Sequence, residues 1–361
     1  MIGKKIIVID GSSIKQNRGV SAYVNSLISG LSKVKISSNI QFIVMIPLGC
    51  KLNVQTKENL SIVKKPFINK ILWDLVLLPL YCWWAGGYLL HYTENTGGSL
   101  LPRLLRLKIV LTIHDVSFLK TFNLVSKPRS LKQWIGLYYR RLFISNIAKN
   151  SKIIFTVSKF AKKDIIKELL INSKKIIVTY NSLPHKFVSP RTCSQEKKII
   201  IVTGNSNQKN LKFTLESLQQ FKSILKGWKI LVVGVDGKNS KYINYTGKVD
   251  QNNLIRFYDR SSILIMPSLY ESFSIPLIEA LSREVFVISS NKGAPPEIIK
   301  NFGFLYNPKS MKDLKNSVTK ALYKNRFKKK INKKKAKLYA LSFTDKNLAE
   351  CTMKEYISLL K

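Results

Sequence analysis

Short aliphatic runs alternate along this chain with segments of helical spacing, and that alternation limits the fold more than any other feature. The first run, residues 6–9, is closed by Asp10-Gly11. A strand covered by helices on both faces reads as an unbroken apolar stretch, as a buried parallel sheet requires. A loop of Gly, Ser and Asn then ends at Gly19, after which Val20, Tyr23, Val24, Leu27 and Leu31 share one helical face. Further strands are expected at 42–46, 88–92, 108–113 and 152–157. The rhythm stops at 182–198, where Pro184, Ser189, Pro190, Thr192 and Ser194 show little periodicity, and this reads as a linker. It resumes at 198–202, 229–233, 242–245, 263–266 and 285–289. The expectation is an α/β chain of two doubly wound, Rossmann-like domains, 1–183 and 184–345, with a ligand cleft between them at the carboxyl ends of the strands. Residues 346–361 read as a closing helix, with Leu348, Cys351, Met353, Tyr356, Leu359 and Leu360 at helical spacing.

Length supports two cores, since 361 residues exceed what one core normally reaches. Charge narrows the partners. Against 61 Lys+Arg stand only 20 Asp+Glu, a net charge of +41. A genome rich in Lys, Ile and Asn would have favoured Glu as well, so the missing acids point to an anionic partner: phosphate, nucleic acid or acidic lipid. The charge makes a basic nucleic-acid-binding protein the rival reading, but no zinc-finger spacing, RNP-like aromatic motif or basic zipper accompanies it, so no specific nucleic-acid partner is expected. The four cysteines are scattered, without metal spacing, and read as thiols of a reducing compartment. Residues 71–90 are long enough to cross a bilayer, but Asp74, Pro79 and Gly86-Gly87 interrupt them, so a buried helix leading into a strand is expected. The run 6–9 is too short for a signal peptide. A cytoplasmic protein, soluble or peripheral to the inner face of the membrane, fits these readings.

The most specific stretch runs from Tyr270 to Ala280, after a strand ending at Pro267-Ser268. It carries Glu271 and Glu279 eight positions apart. Pro276 suits a first helical turn, so a helix is expected to begin at Ser274 or Ile275, with Glu271 on the loop above and Glu279 a turn inside. The helix start offers unpaired backbone N–H groups to a phosphate. Bare E-x7-E spacing occurs by chance; Pro-Ser-x-x-Glu-Ser-Phe-x-x-Pro-x-x-Glu-Ala does not.

That stretch resembles the signature of the retaining glycosyltransferases of family 4, which have the two-domain GT-B architecture. Other segments match in order: Thr112-Ile113-His114-Asp115, Thr156-Val157-Ser158-Lys159-Phe160, Gln208-Lys209-Asn210-Leu211, Gly247-Lys248-Val249 and Gly293-Ala294-Pro295-Pro296-Glu297. The resemblance implies that Glu271 lies beside the donor sugar and diphosphate and that Glu279 holds the nucleotide ribose. It implies that Lys209 neutralises the departing diphosphate and His114 contacts the donor sugar. It implies that Asn205, Ser274 and Ile275 are donor-binding positions, and that Gly19 lets backbone approach the donor or the acceptor. The reaction implied is hexosyl transfer from a GDP- or UDP-linked sugar, with anomeric configuration retained, without a cofactor and without a metal. It implies a lipid-linked saccharide or polysaccharide precursor as acceptor, and a closing helix that crosses back to the first domain. The physics agrees, because breaking a sugar–phosphate bond builds positive charge on the sugar and negative charge on the diphosphate.

Three departures stand out. The family's usual Arg before the Lys-Asn pair is missing from Gly204-Asn205-Ser206-Asn207, Ser272 and Ser274 stand where Gly is common, and Glu284 and Phe286 replace Gly and Pro. An inactive scaffold of the same fold is the alternative these departures leave open. Plain structural readings also stand beside each residue: His114 as a buried core histidine, Lys209 as a solvated lysine, Gly19 as a turn glycine, and His91 and His185 as structural. In the segment 127–150, Leu131, Trp134, Ile135, Tyr138 and Leu142 form an apolar stripe, read first as core packing and second, with Arg129, Lys132, Arg140 and Arg141, as an anionic-membrane face. The runs Lys328-Lys329-Lys330 and Lys333-Lys334-Lys335 read as a solvated face or a nonspecific anionic contact.

Overall fold

A computed structural model describes residues 4–14, 19–50, 52, 54, 56–122, 124, 126–191, 193–323 and 332–361. The chain divides into two units. One holds Met1–Lys120, Lys127–Ser182 and Thr344–Lys361; the other holds Thr121–Ser126 and Leu183–Phe343.

The first unit is built on a parallel sheet of strands β1 (Lys5–Asp10), β2 (Ile40–Pro47), β3 (Leu60–Lys65), β4 (Gly87–Tyr92), β5 (Lys108–Thr112), β6 (Ile153–Thr156) and β7 (Ile176–Val178), in the order β3-β2-β1-β4-β5-β6-β7. Its helices are α1 (Gly19–Leu31), α2 (Lys70–Leu72), α3 (Leu78–Trp84), α4 (Leu100–Leu104), α5 (Leu131–Asn150) and α6 (Lys159–Leu169). Between α2 and α3 the residues Trp73–Leu77 make a π turn, so 70–84 is one helical stretch with a bulge, leading into β4. No described helix is long and apolar enough to cross a membrane. Tyr23, Val24, Leu27 and Leu31 of α1 are buried, as their spacing requires. The last helix, Asp345–Leu360, packs on α1, where a Cβ at Gly30 would stand 2.1 Å from the Asp345 carbonyl oxygen. Its Tyr356 hydroxyl meets His91 Nδ1, while His91 Nε2 pairs with Thr112 Oγ1 at 2.8 Å. Burial pushes the His91 pKa down to about 3, so this histidine is neutral and structural.

The second unit carries β8 (Lys198–Val202), β9 (Lys229–Val233), β10 (Ile243–Tyr245), β11 (Ile263–Met266), β12 (Phe286–Ser290) and β13 (Gly303–Tyr306), parallel and ordered β10-β9-β8-β11-β12-β13. Its helices are α7 (Leu211–Gln220), α8 (Gln251–Arg260), α9 (Ile275–Ser282), α10 (Pro295–Ile299), α11 (Met311–Leu322) and α12 (Lys333–Leu341), and the closing helix is α13. Ile199, Ile201, Val232, Ile265 and Ile288 form the middle of its core.

Three strands were not expected: β3, β7 and β13. Each lies at a sheet edge, where fewer faces are covered and an unbroken aliphatic run is not required. The stripe on α5 is the clearest correction. Its core face is Leu137, Tyr139, Ile144, Ile147 and Ala148, whereas Leu131, Ile135, Tyr138 and Leu142 are 76%, 49%, 54% and 73% exposed. Core packing therefore does not explain those four residues. The run Lys328-Lys329-Lys330 lies outside the described residues, and Lys333-Lys334-Lys335 opens α12.

Candidate active site

In doubly wound sheets, ligands bind beyond the carboxyl ends of the strands where the order reverses. In the second unit the order reverses between β8 and β11. The loop after β8 carries Asn205 and Lys209, and the loop after β11 carries Glu271. There Lys209 Nζ donates to Glu271 Oε1 at 2.6 Å, and Ser268 Oγ donates to the same oxygen at 2.7 Å. The backbone N–H of Leu269 donates to the Gln208 carbonyl at 2.7 Å and ties the two loops together. Both charged groups keep an open edge, the side chains being 25% and 12% exposed. Behind them, Ala294 N–H donates to the Glu271 carbonyl at 2.9 Å. Gly293 has φ +79°, and a Cβ there would lie 2.5 Å from the Glu271 carbonyl oxygen, so the glycine-rich loop must pass against Glu271 without a side chain.

Helix α9 begins at Ile275, as expected, with Pro276 in its first turn. Ser274 caps it with φ +76°, a conformation that a Cβ disfavours, and its hydroxyl is buried without a partner among the described residues. Glu284, just past the end of α9, also has a positive φ, +58°. Two of the departures from the family pattern are thus positions whose backbone suits Gly. A Ser274→Gly variant is expected to gain about 1 kcal/mol of stability, by relieving left-handed strain and an unpaired hydroxyl against the flexibility Gly adds. Thermal unfolding checks this; a lower midpoint contradicts it.

Glu279 lies in α9, 6% exposed, with the Tyr258 hydroxyl of α8 donating to its Oε2 at 3.0 Å. Burial raises its pKa to about 7, and the Tyr258 hydrogen bond only partly offsets this. Asn205 lines a cleft of about 720 Å³ with Asn207, Asn210, Asp236 and Tyr245, and neither Lys209 nor Glu271 borders that cleft. Of the expected residues, the second unit therefore brings Lys209, Glu271, Ser274 and Ile275 to one strand–helix junction. Glu279 lies deeper in α9, and Asn205 borders the cleft.

His114 and Gly19 belong to the first unit. His114 is buried, and burial lowers its pKa. A carbonyl only accepts, so the contact of His114 Nε2 with the Thr93 carbonyl at 2.9 Å places the proton on Nε2 and leaves Nδ1 to accept. That tautomer can receive a hydroxyl. Gly19 opens α1, and a Cβ there would meet nothing within 4 Å, so packing does not demand a glycine.

Sequence reasoning missed three partners. Ser268 was visible in Pro267-Ser268 but not as a hydrogen-bond donor. Tyr258 comes from a different helix and carried no signal. The third is Arg283, which is buried at the end of α9 and forks onto Asp259 at 2.6 and 2.7 Å.

The family model of glycosyl transferases group 1 matches residues 186–338. O-antigen chain mannosyltransferase B of Escherichia coli is 23% identical over 264 residues, 66% of this chain and 67% of that protein. O-antigen chain mannosyltransferase RfbU of Salmonella typhimurium is 26% identical over 235 residues, 58% of this chain and 59% of that protein. The match thus spans about three fifths to two thirds of those relatives. Among solved structures, sucrose-phosphate synthase from Thermosynechococcus elongatus has the same fold, with a TM-score of 0.73 and 14% identity over 99% of both chains.

Proposed function

We propose that this chain, whose residues 186–338 match the group 1 glycosyl transferases, is a member of that family and moves a hexosyl group from a GDP- or UDP-linked sugar to a saccharide hydroxyl, with anomeric configuration retained and no metal required. The observation that carries this reading is the Lys209–Glu271 pair at the β8–β11 switch point, beside the start of α9. A diphosphate arriving there meets an ammonium and the N-terminal dipole of a helix, which favour the leaving group as its charge grows. Glu271 is the carboxylate nearest to where positive charge would develop on the sugar. His114, accepting at Nδ1, orients a sugar hydroxyl. The names of the two O-antigen relatives favour mannose as the hexose and a surface-polysaccharide precursor as the acceptor.

Glu279 supplies a test. A ribose donates its hydroxyls, so the ionised carboxylate binds it better than the neutral acid. With the free-state pKa at about 7, nucleotide affinity should climb roughly 15-fold from pH 5.5 to 7, where binding needs the ionised form, and level off above about pH 8. Stability should move the other way. The folded state holds its proton to higher pH than the unfolded state, whose carboxyl has the ordinary value of 4.5, so this group's contribution falls as pH rises from 4.5 to 7. Calorimetric titration of GDP and UDP across that range reads the affinity. A flat profile, or one unchanged by Glu279→Gln, removes Glu279 from the ribose site.

The exposed stripe on α5 completes the proposal, as a face for an anionic membrane at the cytoplasmic side. Ser99 ahead of α4 hydrogen-bonds Asn146 of α5, which places exposed Leu100 near the stripe. Leu131→Glu with Leu142→Glu should release the protein from acidic vesicles in flotation assays while donor affinity holds. Arg141 is unsuited to this test, because it donates to the Phe118 carbonyl at 2.8 Å and supports the local fold. Equal vesicle binding by the double variant contradicts the membrane face.

A further inference from the structure

Each strand-to-strand step in the second unit carries a helix, with one exception. β8 reaches β9 through α7, β10 reaches β11 through α8, and α9 and α10 serve the next two steps. Parallel strands ordinarily need a connection of about a dozen residues or more, usually helical. β9 reaches β10 through 234–242 alone, and none of those residues is helical. A right-handed crossover at this step would lay its helix on the face of the sheet that α7 covers, beside α7. That place is a groove. Its near end is the cleft of about 720 Å³ beside Asn205, and its far end is a cavity of about 480 Å³. Gln219, Ile243 and Tyr245 line both, so the groove runs on along the flank of α7 to the turn at 222–225.

The far end has an apolar floor and a cationic rim. Leu218, Leu225 and Ile230 belong to the buried core, and Trp228 and Ile243 pack on it while staying half-buried. Tyr242 in the wall is 53% exposed. Lys222, Lys238 and Lys241 border the cavity, all exposed, and none of the described residues lining it is acidic. The sheet edge beside it is closed. Ser240 N–H donates to the Ile243 carbonyl at 2.8 Å, Ile243 N–H donates to Ser240 Oγ at 3.1 Å, and Tyr245 N–H donates to Asn239 Oδ1 at 2.7 Å. These are the outward backbone groups of β10, because the Tyr242 carbonyl and Thr246 N–H turn to β9.

These features decide what fits. An added strand finds its hydrogen-bonding groups already used. A bilayer rests on flat or convex faces, whereas this apolar floor is recessed between α7 and the 234–242 loop. A helix, packing at about 8–10 Å from α7, matches a groove that follows α7. We infer that this groove docks one amphipathic helix of a different protein, whose apolar stripe stands in for the absent crossover helix and whose flanks carry Asp or Glu opposite Lys222, Lys238 and Lys241. A second copy of this chain is a poor source of such a helix, since it has 61 basic residues against 20 acidic ones.

The test uses the full chain and a fluorescent helical peptide of about 18 residues, with leucines at i, i+3, i+4 and i+7 and glutamates on the flanks. In anisotropy titrations at about 0.15 M salt, this peptide should bind at least about tenfold more tightly than a scrambled peptide of the same composition. Lys222→Glu with Lys241→Glu should weaken it by at least about tenfold, and Tyr242→Ser several-fold. Lys163→Glu with Lys167→Glu, the same change of charge at exposed positions of α6, should leave it within about twofold. In the cells that make this chain, Tyr242→benzoylphenylalanine should crosslink under light to a protein, through a segment with acidic residues and helical apolar spacing. The inference is overturned if the scrambled peptide binds as well as the striped one, or if the α6 reversal costs as much as the groove reversal. It is equally overturned if the crosslink falls on lipid, on a segment without that pattern, or on no protein.

Discussion

An Asp259→Ala variant should lose about 3–5 kcal/mol of stability in the second unit, the range measured when one partner of a buried ion pair is removed. Arg283 is 2% exposed and Asp259 is 0% exposed. The guanidinium forks onto both Asp259 oxygens, and it also donates to the Ser189 carbonyl at 2.5 Å and the Pro190 carbonyl at 3.2 Å. Deleting the carboxylate leaves a cation stranded in the interior, facing the carbonyls of Phe187, Ser189 and Pro190, which cannot neutralise it. The cost falls on the end of α9 and the entry segment 187–190 together. Replacing both partners with apolar residues, Asp259→Leu with Arg283→Met, should recover much of the loss, because the pair's net worth is far smaller than the cost of breaking it. Urea unfolding of the single and double variants measures this. A single variant within about 1 kcal/mol of the parent contradicts it.

The second large effect is at the diphosphate. Lys209→Ala should weaken nucleoside diphosphate binding by about 1.5–3 kcal/mol, roughly 10- to 150-fold, and leave the nucleoside alone unchanged. The pair with Glu271 sharpens this. With Lys209 gone, Glu271 loses its 2.6 Å partner, and its charge then opposes the incoming phosphates. Glu271→Gln in the Lys209→Ala background should therefore regain part of the diphosphate affinity. Calorimetry with UDP and uridine, and with GDP and guanosine, separates the terms. Equal losses for nucleotide and nucleoside would mean that Lys209 supports the loop rather than the ligand.

Much of this arrangement could be read from residues alone, for reasons that differ by element. Strands β8, β9 and β11 are central, covered on both faces, and their aliphatic runs coincide with the observed spans. Edge strands escape that constraint, so β3 with Lys64 and Lys65 carried no comparable run, and the aliphatic run of β7, Ile176–Val178, is short. Lys209 and Glu271 are 62 positions apart, and only the order of motifs joined them; their contact follows from β8 lying next to β11. Arg283 drew no reading from the sequence, because nothing local announces that Asp259 and the carbonyls of 187–190 will enclose it. On α5, spacing showed that an apolar stripe exists but not which stripe faces inward; the helix carries two, and Leu137 with Tyr139 won the core. Ser274 looked like a departure from a glycine pattern, and the left-handed backbone beneath it explains why glycine is usual there.

The most direct measurement is transfer itself. The full chain, incubated with GDP- and UDP-linked hexoses and an oligosaccharide acceptor, should release the nucleoside diphosphate and form a new glycosidic bond. NMR of the product should show the anomeric configuration of the donor, and Lys209→Ala should suppress both events together. An inverted product would contradict the retaining reaction, and failure to bind or turn over any nucleotide sugar would contradict the account as a whole.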